Sequence, residues 1–534
     1  MMPELEVEDL RLAGWPDGAP WEQMLRTAAE LRQRGIRDRS YLLKLLERQY
    51  PQPDRRLRRR AEPLPVTEAI EVVDDAGRRN LNAVRRGMRE LMRVPVVEAG
   101  ALMPDACPAG GAEAALSVGG VIAARGAILP AAHSLDICCS VRATVFRPVA
   151  DPGTCLDHLT RVTRFGPGGR APADRVPHPV LDEPVWSNPF LSGLEDRAAM
   201  HLADQGDGNH FAFLGALRVG PDLVQALTAA GHDDLARSLH DAVAGSAAAA
   251  DLHVLVTHHG SRGLGAKVFE RGMKAALKAT STAAAGMPEA AAWLAIDEPS
   301  GRDYWDALQY VARWTRANHD CVHRRFLEAV GATAVAGFGN EHNFVWRRGD
   351  LFLHGKGATP AWHADDGRPL LGLIPLNMAQ PILVSLGRDC PSALGFAPHG
   401  AGRNVSRTAL MRDLRKRHGV LSDALIENEV ARATRGIDVR WFTGKPDYSE
   451  SPAAYKPADQ IREQIDRFGL ADVVAEIRPL GSLMAGHTGD LVRRRREQLT
   501  PKQERQLVGR AERRRKRQSM RERNWRPQDD EEAG

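Results

Sequence analysis

The 534-residue sequence has no run of eighteen or more apolar residues, so no membrane-spanning helix is expected. The N-terminus, Met1-Met2-Pro3-Glu4-Leu5-Glu6, is acidic and lacks the apolar segment of a secretory signal peptide. The six cysteines are scattered, without the close pairs of a small disulfide or zinc domain, and no fixed-period repeat is present. We therefore expect a cytoplasmic protein that has no membrane contact.

Positive charge is concentrated near the C-terminus. Residues 493–526 contain 15 Lys or Arg against 4 Asp or Glu, whereas residues 1–492 contain 58 basic and 60 acidic side chains. A segment so rich in Arg, Glu and Gln, with almost no apolar face, is expected to be a solvated single helix or disordered. It could bind RNA phosphates electrostatically or simply keep the chain soluble, and both interpretations stay open.

The pattern of apolar residues predicts a mixed α and β protein with many short strands. Helical spacing in the first sixty residues, followed by a basic and Pro-punctuated stretch, predicts a helical N-terminal extension and linker over residues 1–63. The main body is expected over 64–487 and the basic tail over 488–534. Within the body we expect helices over 68–92 and 303–330, and a buried strand pair over 371–386.

The segment Pro398-His399-Gly400-Ala401-Gly402-Arg403 places a histidine among small residues. Gly400 and Gly402 let the backbone approach a ligand closely and adopt positive φ angles, and such turns can form anion-binding nests. Arg403 and Arg407 could add bonds to phosphate oxygens, which would set His399 to attack or protonate a phosphoryl group. The alternative is a Gly-rich surface turn with a solvated histidine.

Five further residues, each at a strand end or in a Gly-containing loop, are candidate metal ligands: Asp136, Cys139, His210, His258 and His342. Asp, Cys and His are suitable ligands for Mn²⁺, Zn²⁺ or Fe²⁺, and a thiolate can bridge two ions. Taken singly, each is more often a satisfied polar residue, or a buried small hydrophobe in the case of cysteine. Only the coincidence of all five favours a metal site.

These stretches, taken in order along the chain, resemble the RtcB-type RNA ligases from about Pro65 to Gly486. The resemblance is carried by Met103-Pro104-Asp105, Gly126 to Ala132, Asp136 to Cys139, Gly208 to Phe211, His258 to Gly263, His342-Asn343, Lys356-Gly357-Ala358, His399 to Arg403 with Ser406-Arg407, and Ala454-Tyr455-Lys456. It implies one compact α+β catalytic domain with a deep metal-binding cleft, flanked by the helical extension and the basic tail.

The resemblance also implies an activity: joining of an RNA 2′,3′-cyclic phosphate or 3′-phosphate end to a 5′-hydroxyl end, with GTP and two Mn²⁺ ions. By analogy, His399 carries GMP as a phosphoramidate. The metal sets would be Asp136, Cys139 and His210 for one ion, and Cys139, His258 and His342 for the other. The implied nucleotide contacts are Asn209, Asn343, Asn377, Met378, Gly400, Ala401, Gly402, Arg403 and Tyr455. An archease-type activator accompanies some members of the family.

Three single positions and one short stretch depart from the family pattern. Phe213 stands where a Glu is usual, Met484 replaces a nucleotide-contacting Lys, and Cys107 replaces a His. The stretch that is usually Pro-Gly-Ser-Met in the family is Pro375-Leu376-Asn377-Met378 here. Phe213 and Met484 cannot hydrogen-bond the edge of a guanine, so an altered choice of nucleotide or a specialised RNA substrate is expected.

Two other functions remain open from the sequence. A metal-dependent phosphodiesterase could open cyclic phosphates without joining ends, although such a reaction does not need a covalent nucleotide on His399. A non-catalytic RNA-binding protein is favoured chiefly by the basic tail.

Overall fold

The computed structural model describes residues 5–51, 56–109, 112–245 and 249–487. The chain divides into two compact units. One contains the residues up to Arg58 together with Thr282–Gly286, and the other contains the rest. The predicted boundary at residue 63 stays a prediction, and the basic tail predicted over 488–534 lies outside the described residues.

The small unit is helical, as expected from the spacing of its apolar residues. It contains α1 (Val7–Leu12), α2 (Trp21–Gln33) and α3 (Arg39–Gln49). Leu10, Met24 and Leu46 are fully buried in its core. A short strand, β1 (Leu57–Arg58), pairs in parallel with β9 (Ala284–Ala285).

The helices of the larger unit are α4 (Asp75–Leu91), α5 (Pro152–Val162), α6 (Glu195–His201), α7 (Pro221–Ala229), α8 (Asp233–Ala242), most of α9 (Arg262–Ala283), α10 (Pro299–Val330), α11 (Arg407–His418), α12 (Asp423–Ala433) and α13 (Ala458–Arg467). The prediction of a helix from residue 68 was wrong at its start. The side chain of Asp74 accepts the Gly77 N–H at 2.6 Å and caps α4 there, while residues 67–68 form a strand. The long helix predicted over 303–330 is confirmed.

The larger of the two main sheets has the strand order β11 (Ala334–Glu341), β6 (Ser140–Phe146), β8 (Ala250–His259), β7 (Phe211–Val219), β19 (Ala471–Met484), β16 (Ile382–Gly387) and β15 (Leu371–Pro375), with β18 (Asp438–Trp441) parallel to β19. Neighbours along this order are antiparallel. The starts of β6 and β7 therefore lie at the same end of the sheet as the ends of β8 and β11.

The second sheet has the order β12 (Asn343–Arg348), β13 (Leu351–Lys356), β4 (Val118–Arg125), β3 (Val97–Cys107) and β2 (Thr67–Glu68). Two short pairs accompany it: β14 (Ala358–Pro360) with β17 (Phe396–Pro398), and β5 (Ala127–Ile128) with β10 (Leu294–Ala295). Only His342 separates β11 of the first sheet from β12 of the second. This residue therefore lies where the chain passes from one sheet to the other.

Helix α10 forms a large part of the core. Its side chains Tyr304, Tyr310 and Trp314 are fully buried among apolar residues from neighbouring elements. Burial of one large apolar side chain contributes about 1.5–3 kcal/mol, so this helix anchors the unit. The mixed α+β class expected from the sequence is confirmed. None of the helices in the described ranges is both long and apolar enough to cross a membrane.

Candidate functional site

The five candidate metal ligands lie together at the shared end of β6, β7, β8 and β11. The Sγ atom of Cys139 lies 3.2 Å from Nε2 of His258 and 3.6 Å from Nε2 of His210. Nε2 of His210 is 3.0 Å from an Asp136 carboxylate oxygen, and Nε2 of His258 is 3.1 Å from Nε2 of His342. Two three-residue ligand groups result, and they share Cys139.

Hydrogen bonds to the backbone orient two of the imidazoles toward a common point. Nδ1 of His210 lies 2.8 Å from the Gln205 carbonyl oxygen, and Nδ1 of His258 lies 3.2 Å from that of Asn209. Because a carbonyl only accepts, each Nδ1 carries the proton and each Nε2 presents its lone pair to the cluster. Metal-binding histidines in proteins are held in this way.

The chemistry of the cluster also suits a cation. Burial lowers the pKa of His258 to about 3, helped by its neighbours His210 and His399, so the imidazole is neutral and able to donate. Burial opposes ionisation of Asp136, but its contact with His210 lowers the pKa of that carboxyl to about 2. Gly260 lies against the Asp136 carboxylate so closely that a Cβ would collide with it. The residues present therefore fit a metal centre.

His399 stands beside this cluster, just after β17. Its ring centroid is 4.9 Å from that of His342. Nδ1 of His399 lies 2.6 Å from the buried Asp105 carboxylate, and the same oxygen accepts the His399 backbone N–H at 3.2 Å. The carboxylate therefore keeps the proton on Nδ1 and leaves Nε2 free to act as a nucleophile.

Of the two glycines next to His399, only Gly402 has a positive φ, at 67°. A Cβ at Gly402 would also collide with the carbonyl of Asp105. This position therefore requires glycine on both counts. Gly400 also has no room for a side chain, because a Cβ would lie 2.7 Å from the Pro375 carbonyl oxygen.

A cavity of about 520 Å³ extends from His258 and His399. Eight of the nine predicted nucleotide contacts line it: Asn209, Asn377, Met378, Gly400, Ala401, Gly402, Arg403 and Tyr455. The ninth, Asn343, is not among its lining residues. The Asn343 amide instead accepts the Gly357 N–H at 2.7 Å and donates to the Asp136 carbonyl at 3.4 Å. Nucleotide binding by all nine residues stays a prediction.

One wall of the cavity is largely apolar. Phe211 and Phe213 project from β7 two residues apart, on one face of the sheet. Phe211 pairs across the strands with His258 on one side and Met484 on the other, and Phe213 pairs with Ser482. Hydrophobic side chains thus begin directly beside the ligand cluster.

The buried carboxylate of Glu450 organises the polar side of the cavity. It accepts the Tyr455 hydroxyl at 2.8 Å and two bonds from Arg407 at 2.8 and 2.6 Å, and Arg403 lies 3.4 Å away. The guanidinium carbon of Arg403 lies 5.4 Å from the centre of the Tyr455 ring. The two arginines that the sequence suggested for phosphate contacts therefore already have a carboxylate partner.

Three site residues received no role from the sequence. Asp105 stands out only as an acid inside the apolar strand β3. Lys356 carries an ammonium group with no hydrogen-bond or ion-pair partner among the described residues, and burial lowers its pKa to about 8. Glu450 gave no sequence signal, because its partners come from distant segments.

The fold and the two ligand groups together define an α+β protein with a candidate metal centre. The family model "tRNA-splicing ligase RtcB" matches residues 188–485, more than half of the chain. A tRNA-splicing ligase RtcB of Archaeoglobus fulgidus is 30% identical over 258 residues, 42% of this chain and 51% of the relative. One from Thermococcus kodakarensis is 26% identical over 315 residues, 54% of this chain and 60% of the relative. An RNA-splicing ligase RtcB of Mycobacterium tuberculosis is 29% identical over 250 residues, which are 42% of this chain and 55% of the relative.

The chain belongs to the RtcB family. The matched region contains His210, His258, His342 and His399 but begins after Asp136 and Cys139. The chain spans about half the length of the curated relatives it matches.

Proposed function

We propose that the protein is an RNA ligase that joins a 2′,3′-cyclic phosphate or 3′-phosphate end to a 5′-hydroxyl end. The observation that carries the proposal is the position of His399. Its imidazole is oriented by Asp105 and lies next to His342 of the ligand cluster, at one end of a cavity that can admit a nucleotide. A neutral, oriented imidazole is a competent nucleophile toward phosphorus near pH 7.

In the proposed first step, Nε2 of His399 attacks the α-phosphate of GTP and pyrophosphate leaves, so that His399 carries GMP. The Asp105 carboxylate stabilises the positive charge that develops on the ring. A 2′,3′-cyclic phosphate end is first opened by water, which breaks the bond from phosphorus to the 2′-oxygen and leaves a 3′-phosphate and a 2′-hydroxyl. In the second step GMP passes to the RNA 3′-phosphate, which frees His399. The 5′-hydroxyl oxygen of the other fragment then attacks that phosphate, and GMP is released as the new phosphodiester forms.

Two Mn²⁺ ions would be held by the two ligand groups, and as Lewis acids they would offset the negative charge of the phosphate oxygens. Cys139 is common to both groups. Burial, together with the neighbouring Asp136, raises the pKa of its thiol well above the usual value. The thiolate therefore depends on a bound cation, which ties the charge of this cysteine to metal loading.

The apolar wall bears on which nucleotide is used. Phe213 and Met484 offer no hydrogen bond to a base edge, and Ser482 is the polar side chain between them on the sheet. GTP is the nucleotide proposed from the family resemblance. Discrimination between GTP and other purine nucleotides is expected to be weak, because apolar contacts separate similar ligands poorly.

The test is covalent labelling with α-³²P-GTP, and in parallel α-³²P-ATP, in the presence of Mn²⁺. The wild type is expected to retain label and His399→Ala to retain none, while thermal unfolding checks that both proteins are folded. Ligation is then followed with RNA fragments that carry a cyclic phosphate or 3′-phosphate and a 5′-hydroxyl. An archease-type activator is added in a separate arm, because some family members act with one.

A cyclic phosphodiesterase would behave differently. It would convert the cyclic phosphate to a 3′-phosphate without any label on His399 and without joined product. That pattern, in the presence and absence of the activator, would overturn the proposal. RNA binding without turnover or label would instead indicate a non-catalytic protein.

A further inference from the structure

Two basic helices start side by side at the mouth of the cavity. Asn80 of α4 and Arg407, the first residue of α11, both line the cavity. The Asn80 amide donates to the Asn404 carbonyl at 3.0 Å, and the Asn404 amide donates to Asp74 at 3.2 Å. Because Asp74 caps α4 and Asn404 lies just before α11, these bonds hold the two helix starts together.

Helix α4 carries an exposed stripe of arginines that have no carboxylate partner. Arg79, Arg86 and Arg89 are exposed, and none makes a hydrogen bond or ion pair with another residue in the described part of the chain. At about 1.5 Å of rise per residue, the first two lie about 10 Å apart on one face. By contrast, Arg78 and Arg85 on the same helix are paired with Asp75 and Glu68.

Helix α11 repeats this arrangement. Arg412, Arg415 and Lys416 are exposed, and they too lack a partner among the residues that the structure describes. One exposed acid, Asp413, lies among them, so the helix surface keeps a positive excess. The next basic residue, Arg417, contacts Glu429 at 3.5 Å.

We propose that the unpaired cations of α4 and α11 form a binding surface for the phosphate backbone of single-stranded RNA, which leads the RNA end into the cavity at His399. The proposal rests on the proposed function for the identity of the ligand. Most exposed arginines on the larger unit form ion pairs, whereas these six cations leave their charge available on the two helices that contribute Asn80 and Arg407 to the cavity lining. A row of available charges along a helix suits a linear polyanion, which neutralises several cations in succession.

The test compares three full-length double variants with the wild type. Arg79→Gln/Arg86→Gln alters α4 and Arg412→Gln/Arg415→Gln alters α11. The control, Arg161→Gln/Lys274→Gln, removes two exposed cations that also lack partners within the described residues, from α5 and α9. Neither of these helices lines the cavity. Gln keeps helix propensity close to that of Arg and Lys, and thermal unfolding checks the folding of each protein.

The probe is a labelled single-stranded RNA of about 20 nucleotides with a 5′-hydroxyl and a 3′-phosphate, followed by fluorescence anisotropy between about 50 and 200 mM salt. Each surface variant is expected to bind about tenfold more weakly near 100 mM salt. The slope of the logarithm of the association constant against the logarithm of salt concentration should become less steep by about 1.4. Each lost contact to a single-stranded phosphate backbone reduces the steepness by about 0.7, and each variant removes two. The control should keep the wild-type affinity and slope.

Wild-type affinity and slope in both surface variants would overturn the proposal. A second result would also overturn it: the surface variants bind poly-glutamate more weakly than the wild type does but bind RNA equally well. That result would assign the surface to an acidic protein partner. Labelling of His399 with nucleotide is measured in parallel on the wild type. Because the anisotropy readout does not depend on turnover, a wild type that binds RNA but takes no label would contradict the proposed ligase and leave the surface supported.

Discussion

One carboxylate oxygen of Asp105 receives both the ring Nδ1–H and the backbone N–H of His399, at 2.6 and 3.2 Å. Asp105 belongs to β3 of the second sheet, and His399 follows β17, almost 300 positions later. The contact therefore fixes the tautomer and the rotation of the imidazole from a fully buried side chain of β3. A nucleophile held in this way does not have to be oriented anew in each reaction.

Replacement of Asp105 by Asn should separate orientation of His399 from the fold. Asn has nearly the same shape, but its amide can present a donor to Nδ1 and so favour the tautomer with the proton on Nε2. We expect the rate of covalent labelling to fall by about 10²- to 10⁴-fold, while Mn²⁺ binding stays within a few-fold of wild type. Rapid labelling in Asp105→Asn would show that another group sets the tautomer.

The sharing of Cys139 predicts a particular pattern of metal loss. Cys139 belongs to both ligand groups, whereas His342 belongs to one. Equilibrium dialysis with metal analysis should find about two Mn²⁺ per wild-type chain, about one for His342→Ala, and weakening of both sites by at least about 100-fold for Cys139→Ala. Cys155→Ala removes a buried cysteine that lies in neither group and serves as the control. Loss of a single ion in Cys139→Ala would contradict a bridging thiolate.

The apolar wall predicts poor discrimination between nucleobases. Apolar contacts separate similar ligands by about 10- to 200-fold, whereas a pocket with matched hydrogen bonds reaches about 10⁴-fold or more. Labelling of the wild type with GTP and ATP should therefore differ by less than about 100-fold. Phe213→Glu/Met484→Lys should raise the preference for GTP by at least about tenfold, because a carboxylate can accept hydrogen bonds from the N–H groups of guanine.

Phe213 and Met484 lie on diagonal positions of neighbouring strands, so the introduced Glu and Lys can interact and limit the cost of burying a charge. The single variant Phe213→Glu is the companion measurement. It is expected to unfold at a lower temperature than the double variant. Strict selectivity of the wild type for GTP would contradict the hypothesis of an altered choice of nucleotide.

The five candidate ligands stand out in the sequence because each lies at a strand end or in a Gly-containing loop, whereas their grouping into two sets is implied only by the family resemblance. Cys139, His210 and His258 flank β6, β7 and β8, and the antiparallel order brings these strand ends together. The α+β class followed from the pattern of apolar residues, and the strand pair over 371–386 from the mostly apolar composition of that stretch. What the sequence could not provide was the spatial order of the strands, which decides that these residues meet.

Pairings between distant segments were not predictable. Glycine-rich surroundings favour Arg403 and Arg407 as phosphate ligands, but they do not indicate that both arginines also contact the buried Glu450. The apolar pattern predicts a start for α4 that is too close to the N-terminus, because the pattern contains no signal for the capping by Asp74. Both features depend on specific side-chain contacts, and the periodicity of apolar residues contains no information about such contacts.

Buried histidines should make the protein sensitive to acid, and His354 offers a direct test. Nε2 of His354 accepts the Leu129 N–H at 2.9 Å, and Nδ1 lies 3.0 Å from the Phe352 carbonyl, so the neutral ring is fully satisfied. Burial lowers its pKa to about 3. In the unfolded chain this imidazole takes up a proton near pH 6.5, whereas in the folded protein it stays neutral down to about pH 3. The neutral ring's contribution to the free energy of unfolding is therefore fully present above pH 6.5 and is lost as the pH falls toward 3.

At pH 5 this one histidine lowers the free energy of unfolding by about 2 kcal/mol. His354→Gln should be less stable at pH 7.5 because packing is lost, but its free energy of unfolding should fall by about 2 kcal/mol less than that of the wild type between pH 7.5 and 5. Urea denaturation followed by tryptophan fluorescence measures this difference. His240→Gln removes an exposed imidazole and should lose as much stability in acid as the wild type does. Parallel pH profiles for His354→Gln and the wild type would mean that His354 becomes protonated within the folded protein.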